Sequence, residues 1–516
     1  MLGKHLEAVL TAAVADVQHR RHECLTLEHL LLAIIEEQYG EEILEACGVD
    51  IPAVRQRLEK FFKEDLQSLP EGTRIEVVQT LAVQRVLQRA MRHIQDAGRD
   101  TMEIGDVLAA SMSAAGFDVT REFYINDAGN QIERFAISLE ARYLQIFRGE
   151  EAVSFPEDGY FGDDIRDRAQ EFADIHGDKY LNMSEAQRRQ ALVDYALPRN
   201  IDSIRQTLSD YRICYDIWFR ESTLHENGSI AEAVEAMEKK GVAYEKDGAI
   251  WYRATAYGAE KDEVLIRQNG NPTYFAADIA YHHNKFAVRG FEKGIDIWGA
   301  DHHGHVARLK GALDAFDGSG DKLDIVLMQL VRLMKDGEPY RMSKRSGKSV
   351  TLSDLLDLVS PDAARFFFNM REAGSAMDFD LDLAVEQSSQ NPVYYVQYAH
   401  ARICSIMRKL AEDGVETRKP SEKELLLLSS PEEIELIRQL AQLPSTIIGV
   451  SQRYDTASLT RYSIDLANLF HKFYTACRVM CENDGKMQAR IALCHATRTV
   501  IANVLGLMKI SAPESM

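Results

Sequence analysis

Cysteine is scarce and unpatterned. Seven cysteines, an odd number with no C-x-x-C pair, exclude a disulfide framework and fit reduced thiols in a cytosolic protein. Cys477 and Cys481 lie one helical turn apart, but no His or Cys partner motif stands nearby, so no metal site is expected. The first residues, Met-Leu-Gly-Lys-His-Leu-Glu, lack the apolar core of a signal peptide, and no apolar run approaches the length of a membrane span. The expectation is a soluble, cytoplasmic chain with no membrane partner. No G-x-x-x-x-G-K-[ST] loop occurs, which excludes P-loop phosphate binding. Positive charge is in deficit: a net charge of -20 argues against indiscriminate nucleic-acid binding, although a specific binder needs only a local basic face.

The chain has 516 residues, 46% of them hydrophobic, enough for about two to four cored domains. Two segments match at an offset of 77: Val9-Leu10, Ala13, Val17-Gln18, Leu27, Leu31 and Ala33 recur as Val86-Leu87, Ala90, Ile94-Gln95, Ile104, Leu108 and Ala110. Apolar residues three and four apart mark amphipathic helices, so a duplicated helical unit packed on itself is predicted, against chance similarity of two ordinary helices. Further on, Asp118 to Ile125 alternates like a strand, and Asn126-Asp127-Ala128-Gly129-Asn130 turns it into a helix over Gln131 to Phe147. Strand and helix alternation then predicts an α/β layer, interrupted from about Gly149 to Asp262 by a charged helical insertion with a strand-like piece at Ala249 to Tyr252.

Three constellations carry chemistry. Tyr340 to Lys348 crowds four cations, two serine hydroxyls and a glycine into nine residues. By composition it is either a solvated basic loop or a grip on polyphosphate, with Lys344 and Arg345 neutralising oxygens and Ser343 and Ser346 donating hydrogen bonds. Tyr274 and Asp278 fall four apart, on one face of a helix, and a carboxylate beside an aromatic ring suits a guanidinium; alone, the Asp could equally be a cap. Ile295 to Ala300 reads as an apolar strand ending in Asp301-His302-His303-Gly304-His305, where open α/β folds bind ligands, and a second strand is predicted over Leu323 to Leu330. From Pro392 onward, 15 Lys and Arg face 13 Asp and Glu, so the acidity lies elsewhere. Tyr394, Tyr395 and Tyr398, with His400 and Arg402, offer stacking faces and cations for unpaired RNA bases, or else a core stripe.

Arg341 to Arg345 resembles the KMSKS signature of class I aminoacyl-tRNA synthetases, with Arg for the first Lys and Arg for the last Ser. The tail Ser349 to Leu356, the Asn271–His283 and Ile295–His305 segments, and the ending Leu505-Gly506-Leu507-Met508-Lys509-Ile510 resemble arginyl-tRNA synthetases over about 410 residues. His22 to Ala33 with Arg85 to Ala90 resembles the N-terminal domain of the Clp ATPase regulatory subunit, an all-α module that receives adaptors and substrates. The resemblances imply a multidomain chain: an all-α Clp N-like repeat domain at 1–103, an α/β class I nucleotide-binding fold at 104–390 with the acceptor-side insertion at about 149–262, and an all-α anticodon-binding domain at 391–516. Residues 104–110 satisfy both templates, with no Gly, Pro or Ser-rich linker, so one helix is expected to run through the join.

They also imply arginine-tRNA ligase activity, with L-arginine and tRNA(Arg) as partners, ATP as cosubstrate and Mg2+ with it. Lys344, Arg341 and Arg345 would be catalytic. ATP would meet Arg341, Met342, Ser343, Lys344, Arg345 and His302; arginine would meet Tyr274, Asp278 and Asp301; tRNA would meet Tyr394, Tyr398 and Arg402. The first strand of the class I fold and the HIGH tetrapeptide that follows it have no counterpart in the sequence. Without that strand the sheet must gap, close up or borrow a partner, and activity is expected to fall. The alternatives are a non-catalytic fusion that binds tRNA and a Clp adaptor or other protein, or a chimeric reading frame produced artefactually.

Overall fold

The computed structural model describes residues 4–22, 24–37, 50–64, 66, 78–79, 101–257, 259, 261–340 and 350–516. Two compact units emerge, Met1–Ala97 and Gly98–Met516. Of the second copy of the repeat, Val86 to Gln95 lies outside the described residues.

In the first unit the helices Lys4–His19, Leu27–Glu36 and Ile51–Glu64 supply the core. Val9, Ala13 and Val17, four apart along the first helix, close on Leu25, Leu30 and Ala33. The other side of the second helix places Leu32 and Ile35 on Ile51, Leu58 and Phe62. Phe62 also receives the Arg20 guanidinium 4.6 Å above its ring, and Glu59 holds that guanidinium through two hydrogen bonds of 2.9 and 2.7 Å. Among the described residues of this unit, Cys24–Leu25 pairs in parallel with Val78–Gln79.

The second unit opens on the helix Thr101–Ala114. Leu108, a repeat position by sequence, is buried here with Val107 among Leu208, Phe366, Phe379 and Val396, the core of this unit. The expected strand is present as Glu122–Ile125, pairing in parallel with Ile217–Arg220. A second parallel pair is Gly294–Gly299 with Leu323–Met328. Among the described residues no ladder joins the two pairs. Of the three outcomes expected for a missing first strand, the gap is the one found.

The long helix Gly129–Arg148 packs with Asp163–His176 and Glu185–Asp210 around Leu139, Tyr143, Phe172 and Leu192. Two of these helices, Asp163–His176 and Glu185–Asp210, fall within the charged 149–262 stretch, but that stretch is not uniform. Ile217–Arg220, inside the 149–262 stretch, is a strand of the parallel layer, and the helix Ser229–Lys239 packs beneath it. The strand was hidden because only four residues, Ile-Trp-Phe-Arg, form it, a run too short to show a period after the long polar helix Glu185–Asp210. Ala249–Tyr252 is a strand, central in an antiparallel sheet with Ala243–Lys246 and Glu263–Ile266. Its hairpin turns on Asp247 and Gly248, both at positive φ (54° and 72°), the tight-turn geometry such residues favour.

The C-terminal helices Pro392–Glu412, Pro431–Ala441, Leu443–Arg453, Ala457–Ala476 and Asp484–Leu507 share their apolar faces with the helices Pro361–Phe368 and Thr101–Ala114. Pro392 sits at the first helical position, where its missing N–H costs nothing, and Asn391 accepts from the Val393 N–H at 3.2 Å. At the centre of this packing Arg365, with no exposed surface, donates to Met508 O at 2.6 Å, Tyr211 O at 3.0 Å and Asp106 at 2.6 Å. Lys509 reaches the other oxygen of Asp106 at 2.8 Å. Thus the helix that carries the join is tied by ions to the far end of the chain. Among the described residues no helix is long and apolar enough to cross a membrane.

Candidate functional site

The carboxyl ends of three parallel strands converge on one acidic cluster. After Ile125 comes Asp127, buried, which accepts from Ser222 N at 2.8 Å, Ser222 Oγ at 2.9 Å and Arg220 Nε at 2.6 Å. After Arg220 comes Glu221, also buried, hydrogen-bonded with Tyr124 and 3.5 Å from His225. Burial pushes the Glu221 carboxyl up, the nearby negative charge of Asp278 adds to this, and the bonds with Tyr124 and His225 oppose it. The Tyr124 hydroxyl is pushed up in turn, first by burial and then by Glu221 and Asp278.

Asp278 stands on the helix Tyr274–His283, whose N-terminus is capped by the Thr273 hydroxyl. Phe275, Ala276, Ala277, Ile279 and Ala280 are buried, whereas Tyr274 is exposed and Asp278 half-buried, so the pair one turn apart forms the polar stripe of an otherwise buried helix. His305 Nε2 lies 2.8 Å from Asp278 Oδ2, and Trp298 contacts both His305 and His302, with ring centroids 5.5 and 6.0 Å away. Asp301 and His302 form an exposed shelf where the Gly294–Gly299 strand ends, 3.6 Å apart. Tyr274, Asp278, Asp301 and His302 are therefore borne at one end of the layer.

Glu221 was missed by sequence reasoning. Its only signal was position, just past the short apolar run Ile217-Trp218-Phe219.

Arg341, Met342, Ser343, Lys344 and Arg345 lie outside the described residues. Their flanks are fixed: the strand Val331–Lys335 pairs with Met377–Asp380, and the helix Leu352–Leu358 begins on a reciprocal Thr351–Asp354 cap.

On the C-terminal helices, Ser389, Tyr394, Tyr395, Tyr398, Arg402 and His471 line a cavity of about 400 Å³. Arg402 stacks over Tyr474 at 4.3 Å and faces Tyr398 at 5.8 Å. Both ring nitrogens of His471 are buried without a hydrogen-bond partner, and burial, with Arg402 nearby, lowers its pKa to about 4. His400 departs from expectation: it is buried, with Nδ1 2.8 Å from Pro513 O, and offers nothing to an RNA base. Of the tyrosine stripe, Tyr398 is exposed and Tyr394 and Tyr395 are half-buried, while Val396 and Gln397 between them are buried.

The family model for the class I (R) tRNA synthetase catalytic domain matches residues 93–402, the DALR anticodon binding domain matches 396–516, and the Clp repeat (R) N-terminal domain matches 1–121. The first and last of these overlap over 93–121, across the join. The arginine-tRNA ligase of Acetivibrio thermocellus is 54% identical over 413 residues, 80% of this chain and 73% of that protein. That of Moorella thermoacetica is 55% identical over the same length. Among solved structures, a putative arginyl-tRNA synthetase from Campylobacter jejuni superposes with a TM-score of 0.71 at 30% identity, covering 81% of this chain and 89% of that one. The Thermus thermophilus arginyl-tRNA synthetase, at TM-score 0.63 and 22% identity over 82% of each chain, shares the fold. The chain, which begins with a Clp N-terminal domain, belongs to the arginine-tRNA ligases, class I aminoacyl-tRNA synthetases that use ATP to join arginine to tRNA.

Proposed function

We propose that arginine is held with its guanidinium between Asp278 and Glu221, with Tyr274 covering the flat side of the cation and Asp301 receiving the α-ammonium. The observation that carries this reading is that Asp278 and Glu221, at the strand ends, have histidines, His305 and His225, rather than Lys or Arg as their ion-pair partners among the described residues. A planar cation with parallel N–H donors supplies what Asp278 and Glu221 lack. ATP is placed against His302 and the loop Arg341, Met342, Ser343, Lys344 and Arg345. There Lys344, Arg341 and Arg345 neutralise charge as the arginine carboxylate attacks the α-phosphate and pyrophosphate leaves. The ribose hydroxyl of the terminal tRNA nucleotide then takes the acyl group and AMP departs. Mg2+ enters as the ion carried on the ATP phosphates, where it neutralises oxygen charge; no cluster of three metal-ligating side chains occurs among the described residues. In the C-terminal cavity, Tyr394 and Tyr398 stack on an unpaired base of tRNA(Arg) and Arg402 meets its phosphate. The first domain takes a Clp adaptor or substrate protein, and the site of action is the cytoplasm.

One measurement tests the arginine site directly. Asp278→Ala should lower arginine affinity by more than about tenfold, since a charge-assisted pair is worth about 1.5–3 kcal/mol. Unchanged affinity in a folded variant would overturn the assignment.

A second reading is favoured by the divided parallel layer: the body holds tRNA with its chemistry suppressed. Arginine-dependent ATP–pyrophosphate exchange is then expected at least about a thousandfold below an intact relative, because each lost transition-state phosphate contact costs about 10²–10³. Lys344→Ala serves as the control for contaminating host enzyme. Near-normal exchange that disappears in Lys344→Ala would refute the suppressed reading.

A further inference from the structure

Two histidines of the first unit are buried and take no part in the chemistry above. His22 and His29 are 2% and 0% exposed, and His22 Nδ1 lies 2.9 Å from His29 Nε2. The pair joins the ends of two helices. Arg21, at a φ of 59°, turns the chain out of the helix Lys4–His19, and the His22 N–H then donates to Val17 O at 3.0 Å, the closure of a Schellman cap. His29 sits in the first turn of Leu27–Glu36, and its side chain completes the reciprocal cap with Thr26. The third helix, Ile51–Glu64, adds Phe62, whose ring centroid is 4.6 Å from that of His29 and 5.9 Å from that of His22.

The hydrogen bonds leave the pair one arrangement of protons. A backbone N–H only donates, and the Thr26 N–H meets His29 Nδ1 at 3.2 Å, with the Thr26 hydroxyl 2.9 Å from the same nitrogen. His29 Nδ1 is therefore an acceptor, so the neutral ring carries its proton on Nε2 and donates it to His22 Nδ1. A further proton on His22 Nδ1 would set N–H against N–H across 2.9 Å, and one on His29 Nδ1 would oppose the Thr26 N–H and break the cap. Among the described residues, the charges facing the pair are Asp16 and Arg20 at the end of the first helix and Glu28 of the second. Asp16 and Glu28 favour a cation here; Arg20 opposes one, and it also engages Asp16 at 2.8 Å and Glu59 of the third helix at 2.7 Å. Burial first, then the charge of Arg20, lowers the proton affinity of His22; burial first, then His22, lowers the pKa of His29 to about 4.

We propose that the His22–His29 bond is an acid-released latch of the first unit. While both rings are neutral, it holds the ends of the first two helices together on Phe62. When the pair takes up a proton, the bond and the Thr26 cap cannot both survive, and Leu27–Glu36 comes away. That helix closes both apolar clusters of the unit, through Leu30 and Ala33 in one and Leu32 and Ile35 in the other, so its release exposes apolar surface that neutral pH keeps covered. Histidine titrates near about 6.5 in an unfolded chain. Both rings fall below that value on folding, so the latch is whole above it and is lost as pH drops from there toward 4. The latch needs none of the residue roles assigned to the second unit.

Amide exchange of the full chain, followed by mass spectrometry and corrected for the intrinsic effect of pH, reads the opening. Between about pH 7.5 and 5, the lowered His29 alone raises the opening constant by about 30-fold, so exchange across Leu27–Glu36 should quicken at least tenfold. Helices of the second unit, such as Pro392–Glu412, should keep their rates. The range stops at pH 5 because Glu59, held below the usual carboxylate value by its hydrogen bond from Arg20, still keeps its charge there. His22→Asn with His29→Gln removes both titrating rings, while the Gln oxygen still accepts from the Thr26 N–H as in other capping boxes. Its exchange should rise less than threefold over the same range, and His29→Gln alone serves if the double variant does not fold. A rise under threefold in the parent would overturn the proposal whichever variant folds. So would an equal rise in the variant, which would place the titration on carboxylates, or an equal rise in both units, which would be general acid unfolding.

Discussion

Asp106 is the carboxylate on which the join depends, and removing it should be expensive. It is 3% exposed and faces Arg365, which is fully buried, and Lys509, whose side chain is 30% exposed. In Asp106→Ala the Lys509 ammonium can turn to water, but the Arg365 guanidinium keeps only the carbonyls of Met508 and Tyr211. Breaking a buried ion pair from one side costs about 3–5 kcal/mol. The unit from Gly98 to Met516, unfolding cooperatively, has an entropy of unfolding of about 0.9 kcal/mol/K at roughly 2.1 cal/mol/K per residue, so each kcal/mol moves Tm by about 1 °C. The expected loss is about 3–6 °C for Asp106→Ala. It should be smaller for Asp106→Asn, which keeps an acceptor for Arg365. Differential scanning calorimetry of the full chain measures this, with the transition of the first unit as an internal reference. A shift under 1 °C in the second-unit transition, or an equal shift in both, would refute the reasoning. The double variant Asp106→Leu/Arg365→Met should lose less than the sum of its singles, because no buried charge is then left alone.

Glu221→Gln should abolish arginine binding while stabilising the fold. The folded carboxyl is raised above its unfolded value, so its contribution is full below the unfolded pKa and is lost as pH rises through the folded one; Gln escapes that loss. The Tm difference between variant and parent should therefore grow across that interval and then level off, and a difference flat with pH would remove Glu221 from the buried-acid assignment. Replacing Tyr394 and Arg402 together by Ala should weaken tRNA binding more than about tenfold, given about 1–3 kcal/mol per stacked base; unchanged affinity in a folded double variant would return both residues to a packing role. The fragment 1–103 should fold alone as a helical domain, because its helices already close two apolar clusters, and a disordered circular dichroism spectrum would contradict this.

What the sequence made legible was periodic and local. Tyr274 and Asp278 share a helix face because four residues make about one turn, and Ala249 to Tyr252 forms a strand because its apolar run is bounded by a Gly turn. What it hid was long in range or short in span. Asp106 meets Arg365 across 259 residues, and no local pattern announces which carboxylate a buried guanidinium will choose. Glu221 follows a four-residue strand after a long polar helix, so its place at the end of the layer depends on Glu122–Ile125 pairing with it from 95 residues away. His400 shows the opposite failure: helical spacing set it beside Arg402 among the RNA-facing candidates, but only burial distinguishes the side of the helix that meets Pro513.

The join combines both cases. Residues 104–110 fit two families because both ask for an apolar helix with small side chains, and helical periodicity alone cannot separate them. The contacts can. Gly105 has room for no Cβ unless Ile297 moves, its added carbon falling 2.7 Å from Ile297 Cδ1. Asp106 would be a costly buried charge anywhere that Arg365 and Lys509 were not waiting for it. Leu108 completes a core made of residues from Leu208 to Ile510. Three residues within four positions, Gly105, Asp106 and Leu108, are packed, paired and buried by the catalytic and anticodon-binding body. The helix that begins at Thr101 is therefore the first element of that body in its physical chemistry, whatever second ancestry its sequence pattern also admits.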